Sequence, residues 1–162
     1  EYEKKGAELL VFPELCLSGY TCNDLFQQEI LLEQVKEELK NLVDFTKGRK
    51  MLLFAGLPWE HEGKLYNVAA ALNHGKILGL TTKTFLPNYG EFYEMRQFRP
   101  GPAMARWITL DGKKIPFGPQ LLFVAEQMEE LVVSAGCLVT GSAEYRCGTG
   151  RSNCDRKLFR KR

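Results

Sequence analysis

Apolar residues gather along this chain in short runs between polar turns, and one stretch alone sustains helical spacing over several turns. Leu25, Ile30, Leu32, Val35, Leu39, Leu42 and Val43 recur at that spacing between Asp24 and Lys47, with Gly48 as the stop. This predicts an amphipathic helix, with one break near Glu29. Ahead of it, Glu1 to Glu8 is charged and helix-compatible, ending near Gly6. Leu9-Leu10-Val11-Phe12 is too short for a helix and reads as a buried strand closed by Pro13. Met51 to Gly56 reads as a second buried strand, ending at Pro58 because proline has no N–H for the ladder.

Hairpins follow. Tyr66 to Leu72 and Ile77 to Thr81 flank Asn73-His74-Gly75-Lys76, where Gly75 suits a positive φ. Trp107 to Leu110 and Lys114 to Phe117 flank Asp111-Gly112, the stronger hairpin signal. Leu121 to Ala125 and Leu131 to Ala135 add two strands around the acidic segment from Glu126 to Glu130. Strands with an intervening helix and hairpin turns make the fold class α/β, with some antiparallel pairing. Lys83 to Pro102 has no periodicity yet is dense in aromatic and charged residues. An irregular stretch of that length in a compact domain points to function.

At 162 residues the chain has the size of one domain, and 44% hydrophobic with 26% charged residues is ordinary globular composition. The formal charge of +2 does not call for a nucleic-acid or membrane partner. The positive charge is concentrated at the end, where Arg146, Arg151, Arg156, Lys157, Arg160, Lys161 and Arg162 face only Asp155. Past Gly136 the apolar pattern lapses, so residues 136–162 are expected to be a basic tail, disordered or read out of frame. The first residue is Glu1 instead of methionine, inside a helix-compatible stretch, which leads us to expect chain upstream. Cysteines at 16, 22, 137, 147 and 154 form an odd number without framework spacing, which fits free thiols and a cytoplasmic setting. Neither Cys147 nor Cys154 has a second thiolate at zinc spacing, so no metal is expected.

Glu14 stands just beyond an apolar strand, at the rim of a sheet, where α/β proteins place ligands. A solvated strand-end glutamate reads the same way in isolation. The segments around it are more specific. VFPELCLSGYTCNDLF, residues 11–26, resembles the base-bearing segment of the nitrilase, or carbon–nitrogen hydrolase, superfamily. KTFLPNYGEFYEMRQF, residues 83–98, resembles the lysine-bearing segment of its glutamine-dependent NAD synthetase branch, and the intervening GLPWEHEGKLYNVAAALNHGKILG fits the same family.

That resemblance implies a nitrilase-like glutaminase domain over residues 1–135, incomplete at its N-terminus and forming part of a four-layer α-β-β-α sandwich. It also implies a Glu-Lys-Cys triad of Glu14, Lys83 and Cys137. A thiol is a weak nucleophile until a base takes its proton, and a lysine beside the attacked carbon stabilises an oxyanion. Glu91 matches a second carboxylate that orients the lysine or assists the base, and Tyr89 and Phe92 match positions lining the glutamine pocket. The family's nucleophile lies in a motif resembling Glu-Ile-Cys-Glu-Asp-Leu-Trp, whereas this chain has Gly136-Cys137-Leu138-Val139. A frame change, an adapted noncatalytic protein and a divergent active member remain as explanations.

Glutamine is the substrate the resemblance implies, with ammonia supplied for the amidation of deamido-NAD. It implies no cofactor in this domain. ATP and magnesium would belong to a separate synthetase domain, and the full-length protein would be a homo-oligomer. The alternatives are another carbon–nitrogen hydrolase of the superfamily and a noncatalytic fragment serving as an interaction domain.

Overall fold

The computed structural model describes residues 2–90, 92–124, 131–134 and 145–147. A 3-10 turn at Glu3–Lys5, ended by Gly6 at φ 81°, precedes strand β1 (Leu9–Val11). A second 3-10 turn at Asn23–Gln27 leads into helix α1 (Glu29–Phe45). Then follow β2 (Leu52–His61), β3 (Lys64–Asn73), β4 (Lys76–Thr82), the short helix α2 (Glu94–Gln97), β5 (Arg106–Leu110) and β6 (Lys113–Gly118). These six strands form one sheet in the order β1-β2-β3-β4-β6-β5. The β2-β3-β4 meander and the β5-β6 hairpin are antiparallel, while β1 joins β2 and β6 joins β4 in parallel. A second sheet is built from β7 (Leu122–Val124), β8 (Leu131–Ser134) and β9 (Tyr145–Cys147).

The fold is α/β, with the mixture of hairpins and parallel pairs that the pattern predicts. Both recognised turns form as expected. His74 and Gly75 have φ of 47° and 72°, and Asp111 and Gly112 have φ of 47° and 75°, the left-handed pairs that match the twist of a two-residue hairpin. The helix breaks where foreseen, with Gln28 extended between the 3-10 turn and α1. Its buried stripe is narrower than the full apolar set. Leu32, Val35 and Leu39 are buried and Leu42 and Val43 pack beside them, but Leu25 belongs to the 3-10 turn and Ile30 lies on the solvent side. Two residues along a helix rotate by about 200°, so Ile30 and Leu32 cannot share a face.

Strand β2 runs through Pro58 to His61, correcting the expectation that it ends at the proline. Phe12 N–H donates to Phe54 O and Leu17 N–H to Gly56 O, so alternate residues of β2 turn their peptide groups toward β1. Alternation carries Pro58 the same way. β1 pairs only with residues 52–54, so the missing N–H falls on an open edge and breaks no ladder bond.

The sheet has two distinct faces. On one, α1 packs over Leu53, Ala55 and Leu57 of β2, Val68, Ala70 and Leu72 of β3, and Leu80 of β4, which form the main core. The other face carries Phe54 and Ala71, covered by Leu121 and by Phe123 of β7, with the Phe54 and Phe123 rings edge-on at 5.4 Å. The described residues thus stack helix, sheet and the first strand of a second sheet. Gly79 lies beneath that strand: a Cβ there would meet Leu121 at 3.1 Å and Phe123 at 3.3 Å.

Two substitutions test this packing. Leu39→Ala removes a side chain that is 2% exposed between α1 and the sheet, and is expected to lower unfolding free energy by about 2–5 kcal/mol in a urea titration. At Gly56 a Cβ would sit 2.4 Å from Leu15 N and 2.8 Å from Pro13 O. Backbone atoms cannot swing aside as a long side chain can, so Gly56→Ala is expected to cost about 1–3 kcal/mol by the same measurement.

Candidate functional site

The site forms on the sheet face away from α1, where three stretches of chain converge. The β3–β4 register pairs Val68 with Thr82, so one step further sets Lys83 opposite Asn67. Lys83 N–H donates to Asn67 O at 2.9 Å, which holds the two residues side by side just past the end of β4. Gly101 N–H donates to Lys83 O at 2.9 Å, and a Cβ on Gly101 would strike Thr82 Oγ1 at 2.1 Å. Only glycine lets the returning chain lie against the residue that precedes the lysine.

Glu14 arrives from the other side. After β1 the chain turns across Gly56, with Leu15 at φ 51° and Gly19 at φ 92°. A leucine at positive φ is sterically costly, on the order of 1–3 kcal/mol. Leu15 is held there by packing: it is 1% exposed in a small cluster with Phe26 and Phe98, whose rings lie 5.0 Å apart. The same cluster anchors α2, because Phe98 N–H donates to Glu94 O. One apolar plug therefore pins both the turn that carries Glu14 and the helix that carries Glu94.

Lys83 Nζ donates to Glu14 Oε1 at 2.8 Å and to Glu94 Oε1 at 2.9 Å. The lysine side chain is 5% exposed, Glu94 6% and Glu14 23%, so Glu14 is the carboxylate with an open side. Asn67 Nδ2 also donates to Glu14 Oε1, and Tyr20 Oη donates to Glu94 Oε1 at 2.7 Å. Two carboxylates on one ammonium leave the group with a net charge of about −1. Burial, then the hydrogen bond and charge of Glu94, then the charge of Glu14, push the Tyr20 phenol above its usual range. Tyr20 therefore remains a neutral donor. Among the described residues Glu94 Oε2 and Asn67 Oδ1 are buried without a partner.

Of the residues expected to carry chemistry, Glu14 and Lys83 meet directly. Tyr89 and Phe92 contact each other with ring centroids 5.9 Å apart. Phe92 lines an open cavity of about 560 Å³ that also reaches Tyr20 and Glu94, while Tyr89 is 72% exposed at the surface. Glu91 and Cys137 lie outside the described residues. The carboxylate found on Lys83 is Glu94, three residues beyond Glu91 in the same motif. Asn67, Tyr20 and Glu94 escaped the sequence reading. A polar residue inside the apolar run from Tyr66 to Leu72 was the available signal for Asn67, because asparagine is depleted in strands.

Cys16 lies two residues from Glu14 but belongs elsewhere. Its thiol donates to Gly56 O at 3.5 Å and packs against the core on the α1 face, and burial pushes it above the usual thiol range. That makes it a poor nucleophile.

Residues 1–134 match the carbon-nitrogen hydrolase family. The glutamine-dependent NAD(+) synthetase of Mycobacterium tuberculosis strain H37Rv is 40% identical over 128 residues, covering 79% of this chain and 19% of that protein. The synthetase of the same name from Aquifex aeolicus is 38% identical over 119 residues, covering 72% of this chain and 20% of that one. In three dimensions the chain resembles the crystal structure of a glutamine-dependent NAD(+) synthetase from Cytophaga hutchinsonii, with a TM-score of 0.71, 29% identity, and coverage of 76% of this chain and 21% of the other. The chain spans about a fifth of the length of the curated relatives it matches. The match over residues 1–134, which include Glu14, Lys83 and Glu94, places the chain in the carbon-nitrogen hydrolase family.

Proposed function

We propose that this chain is the glutamine-hydrolysing part of a glutamine-dependent NAD synthetase. The observation that carries the reading is the buried Lys83 ammonium, 2.8 Å from Glu14 and 2.9 Å from Glu94, inside the segment that matches carbon-nitrogen hydrolases. An amidase needs a base for the nucleophile and a fixed positive charge where the carbonyl oxygen becomes an anion.

In this reading Glu14 takes the proton of the Cys137 thiol, and the thiolate adds to the side-chain amide carbon of glutamine. Lys83 holds the developing oxyanion, while Glu94 keeps the lysine in place. Collapse of the tetrahedral adduct breaks the C–N bond, and the nitrogen leaves as ammonia with the proton that Glu14 received. Glu14 then deprotonates a water that splits the thioester, releasing glutamate and restoring the thiol. In this reading Phe92, Tyr89 and Glu91 contact the glutamine, with Phe92 on the open cavity that reaches Tyr20 and Glu94. The ammonia serves ATP-dependent amidation of deamido-NAD, a ligase reaction in a separate synthetase domain that holds ATP and magnesium. A cytoplasmic homo-oligomer suits this role. Among the described residues no helix is long and apolar enough to cross a membrane.

A second reading has one observation in its favour: the family match ends at residue 134, short of Cys137. A chain that retains base and ammonium without the matched nucleophile would act as a noncatalytic interaction domain, with residues 136–162 as a basic tail foreign to the family.

Ammonia release from glutamine separates the two. Activity in the parent, reduced about 100-fold or more in both Cys137→Ala and Glu14→Gln, is the expected result. A parent that releases no ammonia, or a Cys137→Ala variant that keeps its activity, would overturn it. Stability supplies an independent check. Lys83→Met leaves two carboxylates facing each other without their cation, and is expected to cost about 3–5 kcal/mol in urea unfolding near pH 7.

A further inference from the structure

The Glu14 carboxylate has two oxygens, and they are not equivalent. Both side-chain hydrogen bonds that Glu14 receives among the described residues fall on Oε1, from Lys83 Nζ and from Asn67 Nδ2. Lys83 alone would not distinguish the oxygens, since a carboxylate can turn about its terminal torsion and offer either one to a single ammonium. Asn67 removes that freedom. It is 1% exposed, its backbone lies in the β3 ladder paired with Pro58, and its carbonyl accepts the Lys83 N–H. One residue of a central strand thus fixes the lysine through its main chain and the glutamate through its side chain.

The orientation of the Asn67 amide is also determined. Turned over, its oxygen would press on Glu14 Oε1, lone pair against anion. We propose that Asn67 is a positioning residue for the base: by holding Oε1 together with Lys83, it leaves Oε2 as the oxygen that accepts the nucleophile's proton. The inference rests on the hydrolase reading above and adds to it the atom that does the base chemistry and the residue that selects it.

The test is the pH dependence of ammonia release from glutamine by the full chain and by Asn67→Ala and Asn67→Asp. Among the described residues, the charged or titratable groups facing Glu14 are Lys83 beyond β4, Glu94 on α2 and Tyr20 in the turn after β1. Neither substitution alters them. Loss of a donor to the ionised carboxylate is expected to lower kcat by about 10- to 100-fold, leave KM within about twofold, and move the acid limb of kcat/KM upward by about one pH unit. Asn67→Asp preserves the side-chain shape but sets a second carboxylate against Oε1, so its limb should move further. Thermal melts confirm that each variant retains the fold, and the isosteric aspartate guards against a packing defect in the alanine. An acid limb that stays in place while kcat falls at every pH would reduce Asn67 to a structural member of β3, and a change confined to KM would make it a substrate contact; either overturns the proposal. A parent that releases no ammonia overturns the hydrolase reading itself, and this inference with it.

Discussion

A buried ammonium between two carboxylates is the interaction around which the site is arranged. Lys83 at 5% exposure is deprived of water, and a desolvated cation persists only when anions close to hydrogen-bond distance replace its hydration. Glu14 and Glu94 supply them from parts of the chain separated by 80 residues, so the lysine stitches the turn after β1 to helix α2 across the end of the β3–β4 ladder. The two anions differ in their surroundings. Glu94 is enclosed and also receives the Tyr20 hydroxyl, whereas Glu14 keeps an open side. The two carboxylates thus differ in access: one is enclosed with the lysine and the other is partly open.

Precision at the cluster comes from apolar packing and from missing side chains. Leu15, Phe26 and Phe98 form a plug beneath both glutamate-bearing segments, and it holds Leu15 at a φ that leucine seldom adopts. Gly56 lets the Pro13-Glu14-Leu15 backbone rest directly on the sheet, and Gly101 lets the chain close over Thr82. A carboxylate on an unsupported loop would wander by more than the tolerance of proton transfer. Here it is carried by a turn clamped between a strand and an aromatic pair.

Much of the local structure was legible in the residues alone. The helical spacing of Val35, Leu39 and Leu42, the break near Glu29, and the positive-φ turns at His74-Gly75 and Asp111-Gly112 depend on near neighbours in sequence, and all appear. Pro58 misled because the lost N–H matters only if a partner strand lies on that side, and β1 is too short to reach it. Ile30 misled because apolar character does not by itself tell which face of a helix meets a sheet.

The site divides along the same line. Glu14 and Lys83 could be named from the sequence because each sits in a long motif resembling a known hydrolase segment, with the residue type its chemistry requires. Their meeting at 2.8 Å, the identity of Glu94 as the carboxylate that shares the lysine, and the hold of Asn67 on a single oxygen were decided by tertiary structure. The physical reason is that hydrogen bonds between side chains 53, 69 and 74 residues apart depend on strand register and on which face of the sheet each residue presents. A one-residue slip would turn Asn67 and Lys83 to the opposite face. The sequence by itself determined the repertoire of turns, strands and reactive residue types; packing determined which of those residues meet in hydrogen bonds.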